Sequence, residues 1–393
     1  MSLIKSKNEN GRLTIYLSGH IDSANAAQVE TEINEVFDKG GFEALTVDCA
    51  ELSYISSAGL RIILRLRKSC ADMVVENVSS EVYEIFDMTG FTEMIEIKKA
   101  YRVISVEGCE VIGQGANGKV YRIDRDTIVK VYLNPDSLPD IERERELARK
   151  AFVLGIPTAI PYDIVRVGEG YGSVFELLNA KSFAKLLIAD AGELDNVVDM
   201  SVDLLKKIHS TELKPGDMPD MKKVVLGWAE FMKDHLPAEQ YEKLRSMVEA
   251  VPEDNHMMHG DYHIKNVMLQ NGEVLLIDMD TLCMGHPVFE FGSVFNAYIG
   301  YSELDHENVK NFLGIPFEMS SAFWHKTLER YFEGESAEKI AEIEKKAMLI
   351  GYVRIMRRTI RRGLDKEPKG AAEVANCREK IGQILSEIDS LTW

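Results

Sequence analysis

The chain has 393 residues, too many for one ordinary core, so two or three domains are expected. Its 45% apolar and 28% charged residues are those of a globular protein, and a net charge of −18 with no long basic run argues against nucleic acid as a partner. No apolar run nears a membrane span, the start MSLIKSKNENGR turns polar at once, and Cys49, Cys70, Cys109, Cys283 and Cys377 form no CxxC pair. These features predict a cytoplasmic protein with no membrane association, zinc site or disulfide frame.

The first hundred residues alternate strand-like and helix-like patterns. Residues 12–18 read as a strand, 24–37 as a helix, 44–47 as a short strand and 60–68 as a helix. A strand at 73–78, a helix at 81–87 and a closing strand at 92–97 complete a small α/β sandwich. The junction to the next domain is expected at 98–106. Three β-rich stretches come next, CEVIGQG, GKVYRID and TIVKVYL, then a charged helix over 139–154 and two further strands, AIPYDIVRV and YGSVFELL. Beyond Asn179 the spacing is helical except in NVMLQNGEVLLID, where two apolar strands flank the two-residue turn signal Asn271–Gly272.

Gly113, Gly115 and Gly118 lie in G-Q-G-A-N-G-K-V-Y, between two strand-like runs. Glycines there let backbone amides approach phosphate oxygens, although a glycine-rich hairpin turn is an equal alternative. Lys130 sits inside the apolar strand IVKVY, where burying its charge needs a partner. Next to a glycine loop, pairing with phosphate is the better reading. Its carboxylate partner is expected on the following helix. Of Glu142, Glu144 and Glu146, Glu144 shares a face with Ala148 and Ala151 and is expected to point inward.

The cluster His259-Gly-Asp261-Tyr-His263-Ile-Lys-Asn266, followed by Leu-Leu-Ile-Asp278-Met-Asp280, carries the chemistry. Phosphoryl transfer requires a carboxylate to orient the acceptor hydroxyl, the role open to Asp261. It also requires oxygen ligands for Mg²⁺, the role open to Asn266 and Asp278. Singly, each residue has a structural alternative: Asp261 as a helix cap, Asn266 in a turn, Asp278 as a strand-end acid. Asp280 is either a second ligand or a structural acid.

Together, G-x-G-x-x-G-x-V-Y, Lys130, Glu144, H-G-D-x-x-x-x-N and I-D-x-D resemble the aminoglycoside and choline kinase-like branch of the protein-kinase fold, from about Val106 onward. The resemblance implies a two-lobed α+β domain, with an N-lobe over 106–178 and a mostly helical C-lobe over 179–393. It implies ATP or GTP with Mg²⁺ as cofactors, and an inter-lobe hinge at Phe175-Glu176-Leu177-Leu178 that meets the nucleotide base. Glu290 and Gly292 would fall in the structural segment after the metal loop, with Glu290 where the family usually has aspartate. His263, where protein kinases carry lysine, and the lack of an A-P-E segment point away from those enzymes.

Residues 1–99 resemble the STAS domain of bacterial anti-sigma-factor antagonists, carried by LTIYLSGHID and Leu52-Ser-Tyr-Ile-Ser56-Ser57-Ala-Gly59-Leu60. The resemblance aligns Ser57 with the serine phosphorylated in that family, and places Ser56 where the family usually has aspartate. The alternative is that either serine caps a helix. The expected function is therefore an ATP-dependent phosphotransferase acting on a small-molecule hydroxyl under a regulatory STAS module. The alternative is a signalling kinase that phosphorylates Ser57 of its own or another STAS domain. An acidic cleft would suit a cationic amino sugar. Arg354, Arg357, Arg358, Arg361 and Arg362 are expected to form a solvated face among acidic neighbours; docking of the STAS module or of an anionic substrate is the sharper alternative.

Overall fold

The computed structural model describes residues 3–115 and 117–393, so Ala116 of the glycine loop lies outside the described residues. The chain divides into two compact units; the first ends at Glu107 and takes in Ile164–Gly172, and the second comprises Gly108–Asp163 and Ser173–Trp393.

The first unit contains β1 (Ile4–Glu9), β2 (Arg12–Ile21), α1 (Ala26–Phe37), β3 (Ala44–Ile55), α2 (Ser57–Ser69), β4 (Met73–Val78), α3 (Ser80–Met88), β5 (Glu96–Lys99) and β6 (Arg102–Ile104). Strands β1 to β5 form one sheet in sequence order, β1 antiparallel to β2 and the remainder parallel. Parallel neighbours need crossovers, and α1, α2 and α3 supply them. Leu13, Ile15, Leu17, Leu45, Val47 and Val75 form the sheet side of the core, and Val29, Ile33, Ile63, Val82 and Phe86 the helix side.

Three sequence expectations change here. Strand β1 is absent from the apolar pattern because only Ile4 in it is buried; it is a polar edge held by a turn at Asn10 and Gly11, both with positive φ. Strand β3 runs well past Val47, its later half exposing Glu51, Ser53 and Tyr54 while Leu52 and Ile55 stay buried. The expected closing strand is a short 3₁₀ turn, Phe91–Glu93, followed by β5. The expected junction is ordered, with β6 inside it, paired in parallel with β10 (Asp163–Val167) so that Arg102 faces Val165.

In the second unit, β7 (Glu110–Gln114), β8 (Gly118–Arg122) and β9 (Thr127–Tyr132) form an antiparallel meander, and β11 (Gly170–Glu176), whose residues from Ser173 onward belong to this unit, neighbours β9 on its other side. Helix α4 (Leu138–Val153) packs Ile141, Glu144, Leu147, Ala148 and Ala151 inward. After β12 (Lys181–Ser182) come α5 (Phe183–Ala189), α6 (Leu194–His209), α7 (Met221–Phe231) and α8 (Ala238–Ala250). Short β13 (Met257–Met258) and the hairpin β14 (Val267–Gln270) and β15 (Glu273–Leu276) come after α8, then β16 (Cys283–Met284). Helices α9 (Val288–Tyr298), α10 (Glu307–Leu313), α11 (Phe317–Tyr331), α12 (Ala337–Arg361) and α13 (Pro368–Glu387) complete the chain.

The β14–β15 turn has Asn271 and Gly272 both at positive φ, as the Asn-Gly signal requires. Buried residues on α6, α9, α11 and α12, among them Phe291, Phe295, Trp324 and Tyr352, form the main helical core. Among the described residues, no helix is long and apolar enough to cross a membrane.

Candidate active site

The glycine loop joins β7 to β8. Gly118 is required by close packing, since a Cβ there would lie 2.4 Å from the Val131 carbonyl oxygen. At Gly115 the same Cβ would meet nothing within 4 Å, and the Gly115 amide closes the loop onto the Gly118 carbonyl at 2.9 Å. None of Gly113, Gly115 and Gly118 has positive φ, so approach and packing, not backbone handedness, are what glycine provides here.

Strand β9 delivers Lys130 and helix α4 delivers Glu144. Lys130 Nζ donates to Glu144 Oε1 and Oε2 at 3.0 and 3.2 Å, and to Asp278 Oδ1 at 2.8 Å. The choice of Glu144 over Glu142 and Glu146 follows from the inward face of α4. Tyr132, two residues along the strand, donates its hydroxyl to Glu144 Oε2 at 2.5 Å and lies near Ser173 Oγ. Burial opposes the Lys130 charge, but Asp278 and Glu144 outweigh it and hold the ammonium well above its usual pKa.

Asp278 ends its apolar run in the left-handed region, φ 65° and ψ 71°, a backbone state uncommon for a non-glycine residue. That turn places Met279 in the core, while Asp278 reaches Lys130 and Asp280 turns to a neighbouring cleft. A cleft of ≈ 370 Å³ lined by Asn117, Tyr132, Glu144 and Asp280 opens there. Burial, reinforced by Asp278, raises the Asp280 carboxyl to about 7.

The segment from His259 to Asn266 is fixed from several sides. Glu290, fully buried on α9, accepts the His259 amide at 2.5 Å and the Gly260 amide at 3.1 Å. Burial disfavours its charge, yet His209, 3.7 Å away, His259 and the Gly260 amide together lower its pKa. Thr281 Oγ1 donates to the His259 carbonyl at 2.7 Å, and Ser293 Oγ and Arg354 Nη1 donate to the Gly260 carbonyl at 2.9 and 3.2 Å. Gly260 has φ 82°, and a Cβ there would meet the Thr281 carbonyl at 2.5 Å.

Asp261 is thereby held with Oδ2 3.5 Å from His263 Nε2. Burial acts against its charge, but His263, Arg354 and His259 bring the carboxyl down to about 2. Asn266 Nδ2 donates to the Asp261 carbonyl at 3.1 Å, which leaves its side-chain oxygen available as a ligand. Asn266 and Ile277 are joined by a backbone hydrogen bond at 2.9 Å, so the β14–β15 hairpin brings Asn266 and Asp278 to one end. Glu144 and Asp278 contact Lys130, and Asp280 lies near enough to feel all three charges. Among the described residues no group of three or more His, Cys, Asp or Glu is placed to hold a metal by itself, but the oxygen donors Asn266 and Asp278 are of the hard kind that fits Mg²⁺, an ion that keeps several of its ligands as water and phosphate.

Glu176 lies exposed at the end of β11, and no described contact joins it to Lys130, Asp261 or Asp278. The next amide, of Leu177, already donates to the Asp126 carbonyl at 2.8 Å. Sequence reasoning does not place His209, Ser293 or Arg354 at the phosphotransfer site. His209 and Ser293 lie in helices whose spacing signals only burial, and no sequence feature ties them to the His259–Asp261 segment. The arginine cluster corrects the expectation of acidic neighbours: Arg354 is half-buried on backbone oxygen and Ser293, and no carboxylate pairs with any of the five arginines among the described residues.

In the first unit, Ser56 is the N-cap of α2, its Oγ accepting the Ala58 amide at 3.2 Å. Ser57 is the first helical residue and is exposed. Gly59 lets α2 close onto the sheet, as a Cβ there would lie 2.6 Å from Ile55 Cγ1.

Comparison with known proteins accounts for both units. Residues 108–318 match the family model described as the phosphotransferase enzyme family, and residues 4–103 match the STAS domain. Over 92 residues the chain is 36% identical to a putative anti-sigma factor antagonist of Bordetella bronchiseptica, covering 22% of this chain and 78% of that protein. It is 28% identical over 102 residues to an anti-sigma-B factor antagonist of Listeria monocytogenes, covering 25% and 89%. The crystal structure of aminoglycoside phosphotransferase APH(4)-Ia aligns over 71% of this chain and 93% of its own, at 15% identity and a TM-score of 0.50, a likeness of fold. A thermostable mutant of that protein, solved with ADP and hygromycin B, aligns equally well at 14% identity. The chain belongs to the phosphotransferase enzyme family and carries a STAS domain ahead of its two-lobed kinase-like fold.

Proposed function

We propose that this phosphotransferase moves the γ-phosphoryl group of ATP, or GTP, to a hydroxyl of a small molecule, and that its STAS module is regulatory. The observation that carries the reading is Lys130 bridging Glu144 and Asp278 on the side where Asp261 and Asn266 converge. In this reading Asp261 orients the acceptor hydroxyl and takes its proton; a carboxyl held near 2 is ionised at neutral pH. Lys130 binds phosphate oxygens, held by Glu144. The amides around Gly113, Gly115 and Gly118 approach the phosphates, and the backbone at Glu176 meets the base. Asn266 and Asp278 would hold Mg²⁺, which supplies charge neutralisation on the β- and γ-phosphates. The lobes are taken as 106–178 and 179–393, after a STAS domain over 1–99.

A second reading has support of its own. Because Ser56 already caps α2, the exposed Ser57 hydroxyl is free of that duty. Phosphate at the first turn of a helix meets the positive dipole end. Ser57 of this STAS domain, or the corresponding serine of another, is then the acceptor.

Purified chain with Mg²⁺ and γ-labelled ATP, wild type beside Asp261→Asn and Ser57→Ala, separates the two. Slow ATP hydrolysis lost in Asp261→Asn, with no label on protein, supports the small-molecule reading. Label on protein that disappears in both variants supports Ser57 as acceptor. Hydrolysis and labelling unaffected by Asp261→Asn would refute the assignment of Asp261.

A further inference from the structure

The phosphotransfer centre is acidic, yet the opposite charge stands beside it. Arg354, Arg357, Arg358 and Arg361 recur three, four and seven residues apart at the end of α12, so they lie in one stripe. The stripe begins at the active site: Arg354 Nη1 donates to the carbonyl of Gly260, the residue before Asp261, and to Ser293 Oγ at 2.6 Å. Its charge is one of those that hold Asp261 ionised.

Aromatic rings support the guanidinium groups. Arg354 lies 5.8 Å from the Trp228 ring centroid, Arg357 5.9 Å from Phe231 and Arg358 5.0 Å from Tyr301. Stacking fixes the plane of a guanidinium while leaving N–H edges free for an anion. Nε of Arg357 is buried with no hydrogen-bond partner. Burial, and then the neighbouring Arg361, lower the Arg357 pKa. In a chain of net charge −18, Arg357, Arg358 and Arg361 make no ion pair with a carboxylate among the described residues, and only Arg354 acts on one, Asp261. Balancing the dipole at the end of α12 would require only solvated cations, not aromatic supports.

We infer that this stripe is the subsite for an anionic group, phosphate or carboxylate, on the acceptor, so that the acceptor is a hydroxylated anion and not a cationic amino sugar. The inference rests on the reading of Asp261 as the residue that orients the acceptor hydroxyl. Arg357 and Arg358 lie within about one helical turn, or roughly 6 Å of rise, of Arg354, which itself touches the residue before Asp261, so hydroxyl and anion can belong to one small molecule.

The test uses the full chain saturated with Mg²⁺ and ADP, so that the nucleotide site is filled. Inorganic phosphate is titrated in by calorimetry at ionic strength held constant with chloride. Saturable binding is expected, at least tenfold weaker in Arg357→Gln/Arg358→Gln and retained in Asp261→Asn. Arg361→Gln, an exposed position outside the packed pair, is expected to weaken it as well and guards against a folding defect. No saturable binding by wild type, or binding indifferent to all the arginine variants, overturns the inference. Loss of ATP hydrolysis in Asp261→Asn tests the underlying reading separately. Transfer of label from ATP is then compared between sugar phosphates or sugar acids and amino sugars. Preference for an amino sugar overturns the inference, as does an acidic peptide that displaces phosphate while no sugar phosphate or sugar acid accepts label.

Discussion

Replacing Glu290 isolates how the catalytic segment is held. Its carboxylate accepts two buried backbone amides, from His259 and Gly260, and faces His209. Hydrogen bonds to a charged acceptor contribute about 1.5–3 kcal/mol each and neutral ones about 1, so Glu290→Gln should cost about 1–4 kcal/mol. With urea slopes of about 1–3 kcal/mol per molar, the midpoint should fall by roughly 1 M. Trp324, whose ring lies 6.4 Å from that of Phe291, reports the transition by fluorescence. The pH dependence supplies a second check. Because folding lowers the Glu290 pKa from 4.5, its contribution is fully present above 4.5 and is lost as pH falls through the folded value. The gap between wild type and Glu290→Gln should therefore narrow in acid below about 4.5. Turnover should fall more than stability alone explains, since the two amides directly precede Asp261. An unchanged midpoint at neutral pH, or a gap that widens on acidification, would refute the reasoning.

Three further outcomes are expected. Lys130→Met should lower nucleotide affinity and destabilise by about 3–5 kcal/mol, because Glu144 is left buried without its cation; Lys130→Met/Glu144→Leu should recover part of the stability in denaturant melts. Gly118→Ala should cost about 1–3 kcal/mol by forcing β8 away from β9, whereas Gly115→Ala should barely change the melt but weaken ATP binding measured by calorimetry. Ser56→Ala should destabilise the STAS unit by about 1 kcal/mol through loss of its cap, and Ser57→Ala by no more than about 0.5, in thermal melts followed by circular dichroism.

The sequence alone determined what local chemistry can express. Asn271–Gly272 demands a tight hairpin because both residues adopt positive φ, and the turn is there. The helical period of α4 selects Glu144 as the inward acid, since facing is set by spacing, and its bond to Lys130 follows from that. Spacing could not show that Lys130 would also reach Asp278, 148 residues away, because that contact depends on how the lobes of the fold close on each other. Polar edges also escaped the pattern: β1 buries only Ile4, so periodicity had nothing to register.

Tertiary structure alone decided which polar residues support the site. The resemblance located Glu290 only in a structural segment; the fold makes it accept the His259 and Gly260 amides, sets His209 against it from α6, and aims the Ser293 hydroxyl at the Gly260 carbonyl, and a buried amide donates to any correctly placed oxygen, whatever its motif. The same holds for charge. A net charge of −18 is a property of the whole chain, whereas the arginines clustered on α12, which form no salt bridge among the described residues, create a local field that composition averages away.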